Sequence, residues 1–162
     1  MIILGIDPGL ARMGYAFIEI KKKGEKSKAI NYGCIKTSPD LCAGDRLKII
    51  NNELNKLIKK HKPNILAVEN IYFFKNFKTA MPVSQAKGVI LLTAAKKKIP
   101  VYEITPLQMK MAITGYGKAE KKQVQEMLKV LLNLKEAPKS DDAADALGVA
   151  LCCAFKLKIE RA

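Results

Sequence analysis

Two acidic side chains follow directly on short apolar runs. Asp7 comes after residues 2–6 and Glu69 after residues 65–68, and both runs have the composition of buried strands. An unpaired carboxylate cannot lie deep in the core, because desolvation costs several kcal/mol or forces protonation. Pro8 and Gly9 turn the chain away after Asp7, so this carboxylate is expected at a strand end beside a cleft. A turn at the end of a strand explains Asp7 alone equally well. However, the same pattern of an apolar run followed by an acid recurs at Glu69, and this recurrence favours a functional pair of carboxylates.

A second group of acids opens the last predicted helix. Asp142 and Asp145 are three residues apart, which places them on one helical face. Acids in a first helical turn also complement the helix dipole, with Ser140 as the cap, and this interpretation suits Asp141. Asp145 lies beyond the first turn in an apolar helix, where a lone acid would face the core unless a cation met it.

Four such carboxylates would repel one another if the fold brought them together. Divalent cations can neutralise a cluster of this kind, and oxygen ligands without His or Cys favour Mg²⁺ or Mn²⁺. Two ions about 3.5–4 Å apart activate a water and stabilise the leaving oxygen of a phosphodiester. In a basic protein, an acidic metal pocket suggests a nuclease.

The charge balance favours a polyanionic partner. Lys and Arg total 29 against 15 Asp and Glu, a net charge of +14, and nucleic acid is the first candidate. A hydrophobic content of 49% argues against a disordered basic tail, and 162 residues suit one domain, taken as 1–162. No apolar run reaches the roughly 18 residues of a membrane span, and the first residues show no cleavage signal, so a cytoplasmic protein is expected.

The chain has few of the residues that a zinc site or a Ser-His-Asp triad requires. The single histidine, His61, stands between two lysines and is expected at the solvated end of a helix. The cysteines lack Cys-x-x-Cys spacing and are interpreted as reduced packing residues. They are Cys34, Cys42, Cys152 and Cys153.

The predicted elements alternate strands and helices after an initial run of strands. Apolar alternation and turn residues predict strands ending near Asp7, at 13–20 and at 29–37, which form an antiparallel trio. Thr105 and Gln108 form a capping box with Pro106 at the first helical position. Further strands are expected at 65–68 and 101–104, and helices from Asp45 to Pro63, from about Ser84 to Lys98, after Thr105, around 124–132 and from Asp142 to about Lys158.

In these residues the chain resembles the RuvC family of bacterial Holliday junction resolvases, within the ribonuclease H and integrase superfamily. The resemblance covers nearly the whole chain, and its motifs are specific in their order and spacing rather than singly. They are Gly5-Ile6-Asp7-Pro8-Gly9 with Gly14-Tyr15, Val68-Glu69 with Lys75-Asn76, Gln85-Ala86-Lys87-Gly88, Thr105-Pro106 to Lys110, Ala119-Glu120-Lys121 with Gln123-Val124, and Asp142-Ala143-Ala144-Asp145-Ala146-Leu147.

The resemblance implies an α/β, ribonuclease H-like fold with a central mixed five-stranded sheet, three antiparallel N-terminal strands and flanking helices. It assigns the catalytic metal ligands to Asp7, Glu69, Asp142 and Asp145, with Asp7 shared between two Mg²⁺ ions that Mn²⁺ can replace. Asp141 competes with Asp142 for its place, since Asp141 and Asp145 are also one turn apart. The motif register favours Asp142.

The resemblance also implies residues that contact DNA. Lys110 and Lys121 match basic positions that hold the DNA backbone or stabilise charge near the cleaved phosphate. Tyr72 matches an aromatic thought to stack on bases at the crossover, which is worth roughly 1–3 kcal/mol per base. Because Phe73 and Phe74 adjoin Tyr72, with Lys75 following, which ring touches DNA stays open.

The implied function is endonucleolytic resolution of four-way junctions by symmetric paired nicks, in homologous recombination and DNA repair. A twofold substrate suits a homodimer, with the helix from Ser84 to Lys98 and the aromatic loop at 71–77 as candidate parts of its interface. The implied partners are RuvA and RuvB. Two alternatives are a non-catalytic junction-binding protein of the same fold and a phosphotransferase of the sugar kinase, Hsp70 and actin superfamily. The latter needs two such domains, and 162 residues hold one.

Overall fold

The computed structural model describes residues 1–20, 27–70 and 77–159, except for the side chains of residues 77–79, 158 and 159. Among these residues, three strands come first, helices and strands then alternate as far as the fifth strand, and three helices follow it. In chain order the elements are β1 (Ile2–Asp7), β2 (Arg12–Glu19), β3 (Lys28–Lys36), α1 (Ala43–His61), β4 (Ile65–Glu69), α2 (Phe77–Lys96), β5 (Val101–Ile104), α3 (Pro106–Thr114), α4 (Lys121–Leu132) and α5 (Asp141–Ile159).

The described strands form one mixed sheet in the order β3-β2-β1-β4-β5. β2 pairs antiparallel with both β1 and β3, and β4 pairs parallel with both β1 and β5. This confirms the predicted α/β fold with a mixed sheet and three antiparallel N-terminal strands. Ile6 lies opposite Val68 in the parallel pair, so the next residues, Asp7 and Glu69, leave the same edge of the sheet side by side.

Helices cover both faces of the sheet. One face packs against α5, on which α3 and α4 pack in turn, and Ile3, Ile18 and Ala150 are among the buried residues of this layer. The other face packs against α1 and α2, where Phe17 and Leu54 are fully buried. Strands with apolar residues on both faces are expected for a sheet enclosed in this way.

α5 lies directly on β1 and β2 because two glycines admit it. A Cβ built on Gly5 would lie 2.2 Å from the carbonyl oxygen of Ala146, and one on Gly14 would lie 1.9 Å from that of Asp142. Real Cβ atoms do not approach backbone oxygen this closely. The close approach sets how far the acids of α5 stand from the ends of β1 and β4.

Local capping signals are confirmed, although two helix starts differ from expectation. Thr105 accepts from the Gln108 amide and Gln108 returns the bond, forming the predicted capping box, and α3 ends at Gly115 with φ 72°. α1 begins at Ala43, two residues before Asp45. α2 begins at Phe77 rather than near Ser84, with Pro82 inside it. Because proline usually stands in the first turn of a helix or breaks it, Pro82 leads to the prediction that α2 begins after this residue.

His61 and one cysteine also differ from expectation. The His61 ring packs on Phe17 with centroids 4.3 Å apart and shares a hydrogen bond with Asn31, so it is half-buried rather than solvated. Cys152 and Cys153 are buried as predicted and Cys34 is partly so, but Cys42 is exposed. Within the part of the chain that is described, no helix has the length and apolar character to cross a membrane.

The packing of α5 on β1 gives a stability prediction. Gly5→Ala should lower the free energy of unfolding by about 3 kcal/mol, the upper part of the range for overpacking, because the rigid backbone of α5 must move. Urea unfolding measures this value. Gly44→Ala in α1 is the matched control, since nothing lies within 4 Å of the added methyl, and it should stabilise by about 0.5–1 kcal/mol. Equal effects of the two substitutions would contradict the close-packing argument.

Candidate active site

The two strand-end acids meet at one edge of the sheet. The parallel register of β1 and β4 places Asp7 beside Glu69, and their side chains share a hydrogen bond. Both are half-buried, and each stands at the end of a strand whose other residues are mostly buried. A hydrogen bond between two carboxyl groups requires a proton on one of them.

α5 brings its own acids over this pair. Asp145 raises the pKa of both Asp7 and Glu69, and Asp142 raises the pKa of Asp7. The structure therefore brings together all four acids that the sequence singled out. Asp141 also acts on this group, since its charge raises the pKa of Asp145.

Burial and mutual repulsion keep these acids partly protonated. Burial, followed by the charges of Glu69 and Asp145, raises the pKa of Asp7 to about 9. Burial is also the main cause that raises the pKa of Glu69 to about 6. The pKa of Asp145 is raised by burial too, although Lys121 and Lys110 oppose the rise. If all of these acids were ionised, the neighbouring cations would not neutralise their combined negative charge, and the raised pKa values reflect this.

Asp142 is turned toward an arginine at the start of β2. Its Oδ2 accepts from Arg12 Nε at 2.8 Å and lies 2.7 Å from Arg12 Nη2. The Ser140 hydroxyl and the Cys34 thiol donate to the same oxygen at 3.3 and 3.7 Å. These contacts hold the carboxylate at the antiparallel side of the site.

Asp141 faces in a different direction. Its carboxylate accepts from Lys121 at 2.9 Å and from Gln125 at 3.0 Å, both on α4. These bonds lower the pKa of Asp141, with the Lys121 hydrogen bond as the main cause. Asp141 thus contacts α4, whereas the electrostatic influence of Asp142 extends to Asp7.

The two lysines expected to contact DNA lie beside Asp145. Lys110 and Lys121 line one narrow cavity of about 20 Å³ together with Asp141 and Asp145. Lys110 donates to the carbonyl oxygen of Ala119 at 2.7 Å, which fixes its ammonium group at the junction of α3 and α4. Two cations therefore flank the acidic cluster on its α4 side.

The donor chemistry of the cluster fits hard divalent cations, but the side chains do not converge on an ion. Across residues 1–20, 27–70 and 77–159, no three His, Cys, Asp or Glu side chains are positioned to hold a metal. Asp142 is held by Arg12, and Asp7 and Glu69 contact each other. The oxygen-only set and the raised pKa of Asp7 are the properties expected where a cation would offset crowded carboxylates.

One set of predicted DNA contacts cannot be compared with the structure. Tyr72, Phe73, Phe74 and Lys75 lie outside the described residues.

Two basic residues near the acids were not assigned roles from the sequence. Arg12 follows the Asp-Pro-Gly turn, and nothing in its spacing signals the bond to Asp142, 130 residues away. Lys87 binds Glu103 at 2.8 Å and Asn70 at 3.1 Å, and so ties α2 to the residue that follows Glu69. The position of Lys87 within the Gln85–Gly88 motif was the feature of the sequence that could have indicated this role.

Comparison with known proteins identifies close relatives. The family model described as "Crossover junction endodeoxyribonuclease RuvC" matches residues 3–153. Crossover junction endodeoxyribonuclease RuvC of Halothermothrix orenii is 51% identical over 161 residues, covering 99% of this chain and 96% of the relative. The protein of the same name from Alkaliphilus metalliredigens is 54% identical over 152 residues, covering 94% and 92%. The structure of Thermus thermophilus RuvC in complex with a Holliday junction substrate matches with a TM-score of 0.93 at 34% identity, covering 99% of this chain and 96% of that one.

The raised pKa of Asp7 predicts a pH-dependent stability. The folded protein keeps this proton up to about pH 9, whereas an unfolded chain releases it near pH 4. The stability contributed by Asp7 is therefore full below about pH 4 and is lost as the pH rises toward 9. Asn cannot ionise, so Asp7→Asn should gain stability over the wild type between pH 5 and pH 8.5, by at least about 1–3 kcal/mol, because each pKa unit corresponds to about 1.4 kcal/mol.

Urea unfolding in EDTA at the two pH values measures this difference. Asp40→Asn, which changes an exposed acid that accepts from Ser38, is the control and should shift little. A difference between Asp7→Asn and wild type that does not change with pH would contradict the prediction.

Proposed function

Because the chain belongs to the RuvC family of crossover junction endodeoxyribonucleases, we propose that it resolves Holliday junctions by nicking two opposing strands. Such nicks leave duplexes that ligase can seal, in homologous recombination and DNA repair. The observation that carries the proposal is the meeting of Asp7, Glu69, Asp142 and Asp145 at one sheet edge, where they raise the pKa of Asp7. A basic chain of net charge +14 supplies the attraction for DNA.

The same four acids are proposed as the ligands of divalent cations, with two Mg²⁺ ions per subunit and Mn²⁺ as a substitute. When bound, such ions supply an activated water and stabilise the leaving oxygen of a phosphodiester. To bind an ion, Asp7 and Glu69 would have to give up the proton that they share. Asp7, whose pKa the other three acids all raise, is the candidate for a ligand common to both ions. Asp142 is preferred to Asp141, because Asp141 contacts α4.

Lys110 and Lys121 are proposed to hold the DNA backbone beside the cleaved phosphate. Both lie next to Asp145 and lower its pKa, so both are within electrostatic reach of the acids. Lys110 is held by Ala119 and is preorganised, whereas Lys121 must exchange Asp141 for a phosphate. One of Tyr72, Phe73 and Phe74, followed by Lys75, is proposed to stack at the crossover, on family resemblance alone.

Cleavage of a labelled synthetic four-way junction tests the proposed activity. Wild-type protein should make symmetric nicks in Mg²⁺ and none in EDTA. Asp7→Asn should lower the rate by more than about a hundredfold while retaining junction binding, because even an outer-shell partner is worth about 10–100-fold. Glu53→Gln, at an exposed acid paired with Lys56, is the control and should cleave normally. Binding without cleavage in any divalent metal would instead favour a non-catalytic junction-binding protein.

A homodimer is proposed because two opposing strands must be cut symmetrically. α2 offers a candidate interface, where Met81 and Leu92 are 68% and 53% exposed on the same face as the open position Gly88. Large apolar side chains exposed on one helix face are typical of association surfaces. The branch-migration proteins RuvA and RuvB are further proposed partners from family membership, and a chromosomal DNA substrate suggests a cytoplasmic location.

The proposed interface predicts the effect of a charge on α2. Leu92→Glu should shift the protein from dimer to monomer, because a buried carboxylate at the interface would be unpaired. Sedimentation velocity at micromolar concentration measures the oligomeric state. Val130→Glu, at an equally open apolar position on α4 that is 60% exposed, should leave a dimer. A Leu92→Glu protein that remains dimeric would exclude this face.

A further inference from the structure

Arg12 makes an unusual set of contacts with Asp142. Its Nε and Nη2 both approach the same oxygen, Oδ2, at 2.8 and 2.7 Å, instead of one nitrogen bonding each oxygen. Ser140 and Cys34 also direct their side-chain hydrogens at Oδ2. Within the described chain, no hydrogen bond is found to Oδ1 of Asp142. The carboxylate is thus held by one oxygen and open at the other.

Stability alone is a weak reason for this ion pair. The Arg12 side chain is 50% exposed and that of Asp142 is 22% exposed, and ion pairs with this much exposure to solvent contribute little to stability. Several donors that bond to a single oxygen do, however, fix the orientation of the carboxylate group. Hydrogen bonds that orient ligand carboxylates are a common second layer of metal sites.

The main chain of Asp142 is held by the same strand as its side chain. Gly14, two residues beyond Arg12 on β2, lies against the carbonyl oxygen of Asp142, and Gly14 pairs with Asp7 across the sheet. β2 therefore places Asp142 relative to Asp7 through two contacts, one to the backbone and one to the carboxylate.

We propose that Arg12 is a positioning residue that holds Oδ2 of Asp142 and leaves Oδ1 as the oxygen offered to a divalent cation. The inference rests on the proposed function, since it assumes that Asp142 is a metal ligand. The opposite role can be distinguished by experiment. If Arg12 is a counter-ion that a metal must displace, its removal will strengthen metal binding, whereas loss of a positioning residue weakens it.

A titration of the protein with Mn²⁺, in which electron paramagnetic resonance measures the free ion, tests whether loss of Arg12 weakens or strengthens metal binding. Arg12→Ala should raise the Kd for Mn²⁺ by about 10–100-fold, the range for lost outer-shell partners. Arg12→Lys keeps the charge and can donate to Oδ2, so it should recover part of that loss. Arg46→Ala is the matched control: it removes the same charge from the same surface cavity without contacting Asp142, and its Kd should equal that of wild type.

Cleavage supplies the second readout. At low Mg²⁺ the Arg12→Ala protein should cut a four-way junction more slowly than wild type, and raised Mg²⁺ should restore most of the rate. Unchanged or tighter Mn²⁺ binding by Arg12→Ala would overturn the proposal, as would an equal loss in Arg46→Ala. If wild type binds no Mn²⁺ and cuts no junction, the proposed function itself fails. If wild type does both and Arg12→Ala matches it, only the role of Arg12 fails.

Discussion

The contact between α5 and the first two strands determines the geometry of the site. Gly5 and Gly14 let the helix backbone lie against the sheet, and no larger residue could occupy either position without moving it. The apolar body of α5 supplies a large part of one core layer, and its first turns carry Asp142 and Asp145. Core packing and active-site geometry are therefore set by the same surface.

The acids of the site are held together against their own repulsion by several local compensations. Asp7 and Glu69 share a proton, Asp142 is paired with Arg12, and Asp141 is paired with Lys121. Each compensation satisfies one or two carboxylates and leaves the centre of the cluster negative. This explains why the described side chains do not form a preassembled metal cage even though their donor chemistry suits one.

Local signals predicted much of the fold and the candidate acids. The Thr105–Gln108 capping box and the acids at the ends of β1 and β4 depend on neighbours in the chain, and these predictions hold. The family resemblance is confirmed by relatives of about 50% identity. The bond from Arg12 to Asp142 and the packing of His61 on Phe17 depend on residues far apart in sequence. The periodicity of apolar residues does not indicate which oxygen of a carboxylate is hydrogen-bonded or which aromatic ring packs on a histidine.

The position of α5 at the end of the described chain has a consequence for synthesis. The sheet face formed by Ile3, Ala16 and Ile18 is covered by α5, which begins at Asp141, so this face lacks its cover while residues 1–140 are being made. Exposed apolar surface of this kind is prone to aggregation before folding is complete. A nascent chain that has not yet reached residue 145 also lacks Asp142 and Asp145 together, so the full acidic cluster can form only after the first turns of α5 have been made.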